Sequence, residues 1–484
     1  MGDWAFKSAG ELARAIRKKK VGARELLEYF IERKERFNPE LNAIVVEDLD
    51  VARKRADAAD KATKKGESWG PLHGVPMTVK ESFDLAGHPT TWGMPLFRDN
   101  IAQKDAVAVR RLKDHGAIVF GKTNVPVMLA DFQSYNEIYG TTGNPWDPGR
   151  TPGGSSGGAA AALASGMTGL EIGSDIGGSI RNPAHYCGVY GHKPTYGILP
   201  VRGHFLPGVN TPADLSVIGP LARSAEDLAL SLDAVAGSDR LDAGWKIDLP
   251  RPKQKKLKDF RIAVWLEHER CPVDAEVADR LQEVADTLGK AGAKLDDKAR
   301  PEIDFNKAHQ TYLALLNSVM TSRMPEDQFA EMVKQAEAVA ADDTSDRAAM
   351  ARAAVHRHRD WLALNEQRTR MRLAWLDFFK DYDAVLMPIC ATAAFPHDHS
   401  EPPGERTMTV NNAEQDYFAQ LFWAGVAIAA YLPATVMPTG PGKTSGLPLG
   451  AQLLGGAYSD YVTIELARQL GEETGGFVAP PGYE

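Results

Sequence analysis

Apolar positions along the chain recur with two periods, and the helical one comes first. Ser8 to Lys20 opens on Ser-Ala-Gly-Glu, a capping box, and Arg24 to Arg36 sets Leu26, Leu27, Phe30 and Ile31 on one face. After a short strand at Ala43 to Val46, the charged stretch Val51 to Lys65 predicts a third helix that stops before Gly66. The runs Val75 to Val79 and Ala117 to Phe120 are continuously apolar and read as buried strands, with an amphipathic helix from Asp105 to His115 between them. Ala159 to Ala164 predicts a packed helix, and Glu171 to Ile176 predicts a strand. From Ile198 to Ser224 the pattern is lost to prolines and glycines, which predicts a loop. A helix follows from Ser224 to Ala236, then a polar, proline-containing connection from Gly237 to Lys258. Phe260 to Trp265 reads as a strand and Val277 to Gly292 as a helix. Asp304 to Phe379 reads as largely helical, with Trp361, Met371, Trp375 and Phe379 on its apolar faces. Strands at Ala384 to Pro388, Leu432 to Pro438 and Gly446 to Leu454 and a helix at Tyr461 to Glu472 close the chain.

Composition narrows the functional classes. With 484 residues, 43% hydrophobic and 25% charged, the chain has ample material for a core. A net charge of −8 argues against an electrostatic nucleic-acid binder, and the lysine runs at Lys18 and Lys64 read as solvated helix ends. Cys187, Cys271 and Cys390 have no close spacing, which fits a reduced compartment and excludes a disulfide framework or a cysteine-based zinc site. The first residues lack the apolar core of a secretory signal, and Phe6 stands where myristoylation needs Ser or Thr, so a cytoplasmic location is expected. Leu421 to Pro438 is about long enough to span a membrane, but Pro433 interrupts it and it reads as core. No membrane association is expected.

The candidate chemistry gathers between Thr151 and Ala184, in TPGGSSGGAAAALASGMTGLEIGSDIGGSIRNPA. Two serine-bearing glycine beds flank the alanine helix and the strand. Glycines beside Ser155 and Ser179 let main-chain N–H groups approach a reacting atom closely, as an oxyanion hole requires. The first bed also lies at a helix N-terminus, which favours negative charge. Lys80 ends the buried run Val75 to Val79; to act as a base it must be neutral, so burial must bring its pKa from about 10.4 to near neutrality.

Three other patterns carry less. Gly116 to Thr123 matches the letters of a phosphate-binding P-loop, but Ile118, Val119 and Phe120 form strand and Pro126 forbids the helix such a loop needs. Gly154 to Gly158 matches the nucleophile elbow G-x-S-x-G around Ser156, yet turn residues precede it where a strand belongs. His356 and His358 cannot share a helix face, and His397 and His399 lack a third ligand, so no metal is expected.

The two beds and Lys80 together resemble the amidase signature family of serine hydrolases, which shares a GGSSGG bed, a second bed of the form GS/TDxGGSIRxPA and an earlier lysine. The resemblance is strongest from Gly70 to Thr195 and weakest from Gly237 to Phe379. It implies a single large α/β/α domain with a central mixed β-sheet covered by helices: a helical segment over 1–69, the motif-bearing core over 70–236, a variable helical region over 237–380 and closing strands and helix over 381–484. It implies a Ser-Ser-Lys triad in which Ser179 is the nucleophile, Ser155 its partner in a cis peptide and Lys80 the base. Main-chain donors at Ile176, Gly177, Gly178 and Ser179 would hold the oxyanion, with Ser156, Asp175 and Arg181 bracing the beds. Leu129 and Ala130 by motif position, Phe132 beside them, and Phe205 and Leu206 in the covering loop are the expected substrate contacts. No cofactor is implied, the substrate is expected to be a small amide, carbamate or ester, and a homodimer is allowed. The family also contains an amidotransferase component that works on charged transfer RNA, but Ile176 stands here in place of its threonine and Asn182 in place of its glutamine. A Ser-His-Asp esterase using Ser156 is the remaining alternative.

Overall fold

The apolar runs pair into two sheets that meet near Lys80 and the serine-bearing glycine beds. In the computed structural model, which describes residues 4–343 and 345–484, the buried strand Pro76–Lys80 runs parallel to Ile118–Thr123, and Ile44–Glu47 pairs antiparallel on the other side. The second sheet has eight strands. Their order is Lys294–Asp296, Arg261–Val264, Ala384–Met387, Pro448–Leu454, Ala434–Pro441, Tyr190–Lys193, Val217–Ala222 and Glu171–Asp175. Parallel pairing at the first end gives way to antiparallel pairing through the rest, so the sheet is mixed. The sheets are laced together where Gly169 N–H donates to the Pro76 carbonyl at 3.1 Å and Thr78 N–H to the Leu170 carbonyl at 3.4 Å. Lys80 and the second serine bed thereby come to the same place.

Helices cover both faces, as an α/β fold requires. One core cluster joins Ile218 of the sheet to Ile464, Leu466 and Ala467 of the helix Asp460–Thr474. The other joins Leu221 and Val436 to Ala184 and Tyr186 of the helix Arg181–Cys187. Side chains alternate between the faces of a strand, which is why Ile218 and Leu221, an odd number of residues apart, serve different cores.

Two interior strands of the large sheet depart from the sequence reading. Val217–Ala222 lies inside the stretch expected to be loop as far as Ser224; its buried residues pair along the whole of Glu171–Asp175 despite Gly219 and Pro220. Tyr190–Lys193 sits mid-sheet with polar letters at His192 and Lys193, whose buried partners are Thr435 and Asp460 for the imidazole and main-chain carbonyls for the amine. The expected helical stretch from Asp304 is four helices, Phe305–Thr321, Glu326–Ala338, Asp346–Ala353 and His358–Phe378. The P-loop letters form the strand Ile118–Thr123, with Lys122 inside it and no phosphate loop. No helix among the described residues is long and apolar enough to cross a membrane.

Candidate active site

Lys80, last residue of its strand, is fully buried. Its amine lies 2.6 Å from Ser155 Oγ and 3.0 Å from Ser174 Oγ. Burial pulls its pKa down to about 7, against the opposing pull of the Asp175 and Glu171 charges. Near neutral pH a large share of this lysine is therefore an uncharged amine.

The first bed enters the site through a cis peptide between Gly154 and Ser155. Side chains cannot be added here: a Cβ on Gly154 would lie 2.2 Å from the Asp131 carbonyl. Ser156 N–H donates to the Ser179 carbonyl at 3.1 Å, and the Asn182 amide spans the beds, receiving Gly154 N–H at 3.1 Å and donating to the Gly154 carbonyl at 2.6 Å. Ser156 begins the fully buried helix Gly157–Ala164 and turns its hydroxyl toward the main chain of Ser174 at 3.4 Å. It does not reach the cavity, which removes the geometric basis for an elbow nucleophile.

The second bed is held by one carboxylate. Asp175 accepts from Gly178 N–H at 2.9 Å, from Ile180 N–H at 3.1 Å and from the Arg181 guanidinium at 2.9 and 3.0 Å. Burial alone would raise the Asp175 pKa; the Arg181 charge and hydrogen bonds outweigh it and hold the carboxyl below its ordinary value. Arg181 continues to Gln452 Oε1 at 2.6 Å, so the bed is anchored to the centre of the sheet. Gly178 takes φ +101, a conformation few other residues adopt. One expected donor is lost to this bracing: the Gly178 N–H is taken by Asp175. Among the described residues no acceptor is in place for the N–H groups of Ile176, Gly177 or Ser179. The Ile176 carbonyl, by contrast, is fixed by Tyr312 Oη at 2.9 Å.

These groups open onto a cavity of about 940 Å³ with Ser155, Ser174, Asp175, Ile176 and Ser179 in its floor. Its walls are mostly apolar, with Trp92, Met94, Leu96, Met128, Leu129, Phe205, Leu206, Met320, Met324 and Trp361 among them. Leu129, Phe205 and Leu206 are thus placed in the wall. Ala130 and Phe132 are not: Ala130 is exposed outside the cavity, and Phe132 is buried against Tyr417 and Phe418 at ring distances of 5.6 and 6.0 Å. The two residues turn away from Leu129 because Met128 and Leu129 both take positive φ, which redirects the chain.

Sequence reasoning gave no role in the site to several residues that the fold brings here. Ser174 shares the Lys80 amine, Asn182 ties the beds, and Tyr312 comes from the weakly matching helical region. His204 lines the cavity, bonds Ser82 at 2.9 Å and is driven to a pKa of about 3 by burial and by Lys80, so it is neutral. Ser174 and Asn182 carried a signal, since both lie within the second bed; Tyr312 and His204 carried none. Among the described residues no three His, Cys, Asp or Glu side chains are grouped to hold a metal ion, and the His399 ring stacks on Tyr135 at 3.7 Å.

Serines thus form the floor of an apolar cavity, with a buried amine behind them. The chain belongs to the amidase signature family, hydrolases of amide C–N bonds: the family model described as Amidase matches residues 25–464. It is 35% identical over 97% of its length to an indoleacetamide hydrolase of Bradyrhizobium diazoefficiens, covering 86% of that protein. It is 31% identical to a glutamyl-tRNA(Gln) amidotransferase subunit of Anaeromyxobacter dehalogenans, with 97% of each chain aligned. Among solved structures, a vestigial protein complex bearing on the origins of an s-triazine catabolic enzyme aligns with a TM-score of 0.82 at 28% identity, covering 98% of this chain and 100% of that one.

Proposed function

We propose that the protein cleaves amide-type C–N bonds of apolar amides, anilides or carbamates, and activated aryl esters, through Ser179, Ser155 and Lys80. The observation that carries this reading is the 2.6 Å contact between the fully buried Lys80 amine and Ser155 Oγ, beside Ser179 at the cavity floor. Neutral Lys80 takes the Ser155 proton as Ser155 takes that of Ser179, whose oxygen attacks the carbonyl. The N–H groups of Ile176, Gly177 and Ser179 receive the negative charge that develops on the carbonyl oxygen, each such donor being worth roughly 3 to 4 kcal/mol in other hydrolases. Ser155 returns its proton to the leaving nitrogen, the C–N bond breaks and an acyl group stays on Ser179. Water then removes it by the same relay in reverse. Apolar walls support hydrophobic or aryl substituents on either side of the bond.

The relationship to amidotransferase subunits supports a second reading, in which the chain would need partner chains. Ile176 and Asn182, where that subtype has threonine and glutamine, favour a free-standing hydrolase. A turnover panel of anilides, aliphatic amides, carbamates and aryl esters tests the proposal. Turnover of none of them by the isolated protein would count against it and for the partner-dependent reading.

A further inference from the structure

Glu171 is a fully buried carboxyl that the relay leaves without a task. It opens the strand Glu171–Asp175, whose later residues Ser174 and Asp175 form the floor of the site. Because Thr78 N–H bonds the Leu170 carbonyl, Glu171 is seated alongside Thr78, which shares a strand face with Lys80. Thr123, directly opposite Lys80 in the strand pairing, contributes the other hydroxyl facing it. No cation forms an ion pair with Glu171 among the described residues: the Lys80 amine reaches the hydroxyls of Ser155 and Ser174 instead. The donor on Glu171 Oε2 is Ile172 N–H, at 3.0 Å, while Glu171 Oε1 and Thr78 Oγ1 are both buried without a partner. The neighbouring strand Val217–Ala222 and helix Gly157–Ala164 have no titratable side chain to offer. Lys80 for its part faces Asp175, which Arg181 neutralises, and the uncharged His204.

We infer that Glu171 is held as an uncharged carboxylic acid beside Lys80 and that its proton is what leaves the Lys80 amine free to act as the base. An ionised carboxylate is costly in such a place, with no cation and only one N–H and two threonine hydroxyls to face it. A protonated one is not: its O–H donates to a threonine hydroxyl, giving Oε1 and Thr78 Oγ1 the partners they lack. Burial raises the Glu171 pKa and lowers that of Lys80, while the charge of each favours that of the other. The two groups therefore titrate as a pair. With one proton between them, the arrangement with an acid and an amine can run the relay, and the arrangement with a carboxylate and an ammonium cannot. Glu171 is thus a positioning residue that acts through Lys80.

This inference rests on Lys80 being the base, and its test is separable from that reading. Infrared difference spectra of the full-length protein, wild type against Glu171→Gln, should show at pH 7 a carboxylic-acid C=O band that the variant lacks, whether or not any substrate turns over. In Lys80→Ala the band should keep its wild-type intensity at pH 7, because the amine removed is an uncharged one; a band that appears or grows only in that variant would reveal a carboxylate–ammonium pair in the wild type. In kinetics, Glu171→Gln supplies a neutral isostere and should leave the acid-limb midpoint of kcat/KM within about half a pH unit of wild type. Absence of the band at neutral pH, a band that appears only in Lys80→Ala, or a fall of the midpoint by more than about one pH unit in Glu171→Gln would each overturn the proposal, the last two by showing Glu171 ionised in the resting enzyme. Loss of the pH limb's dependence on Lys80 would instead overturn the triad.

Discussion

Two helices of this protein stand at opposite extremes. Every residue of Gly157–Ala164 is buried, and none of Glu326–Ala338 is. The first is built of glycine, alanine and one leucine because main chains press on it from all sides: a Cβ on Gly158 would come within 2.4 Å of the Asn124 nitrogen. The second carries charge all along its length and adjoins the cavity at Met324, Pro325 and Gln328. The proposed catalytic groups are thus set in a part of the fold with no slack, while the helix beside the Met324 end of the cavity has no buried residue along its whole length. In such a division, changes near the first helix should alter the chemistry or the stability, and changes near the second should alter only which substrates fit.

The widest contrast comes from the triad. Ser179→Ala or Lys80→Ala should lower kcat/KM by about 10⁴-fold or more, read in steady-state assays on one anilide. In the wild type kcat/KM should rise with pH through a midpoint near 7, because the relay needs the deprotonated Lys80 amine. Lys80→Ala should abolish that limb, and substitutions at His356, His358, His397 or His399 should keep it. A smaller, more selective loss belongs to Ser155→Ala, since an amine must be protonated to leave and a nitrophenolate need not be. Anilide turnover should fall by about 10²- to 10⁴-fold more than that of an ester with the same acyl group. Equal losses, with chemistry rate-limiting, would reduce Ser155 to a scaffold.

Packing supplies the next contrast. Phe132→Ala should cost about 3 kcal/mol or more in denaturant unfolding, and Gly158→Ala about 1 to 3 kcal/mol, the one by a cavity and the other by overpacking. Phe205→Ala and Met324→Ala, at the cavity wall, should change KM several-fold among acyl or amine groups of different size while leaving the unfolding midpoint in place. A KM change from Phe132→Ala with unaltered stability would place that ring against the substrate after all.

Legibility follows the same division. The strand Pro76–Lys80, the alanine helix and the second bed were readable because burial there demands continuous apolar or glycine-rich letters. The strand Val217–Ala222 was hidden by Gly219 and Pro220, which announce a loop when the sheet that accepts them is unseen. Tyr190–Lys193 was hidden by a buried histidine and lysine whose partners lie far away in the chain. Tyr312 and His204 reach the site only through tertiary packing, from a helix and a loop without a motif of their own. The Gly178 N–H was misjudged for a related reason: four adjacent amides in a glycine bed look equivalent until Asp175 is seen to claim one.

The central claim is that Ser179, relayed through Ser155 to a neutral Lys80, attacks the carbonyl. A fluorophosphonate probe followed by peptide mapping addresses it most directly, because the probe bonds to whichever oxygen is activated beside the free main-chain donors. The account predicts label on Ser179 alone, formed with the same pH limb as turnover and absent in Lys80→Ala. Label on Ser155 or Ser156 would contradict it.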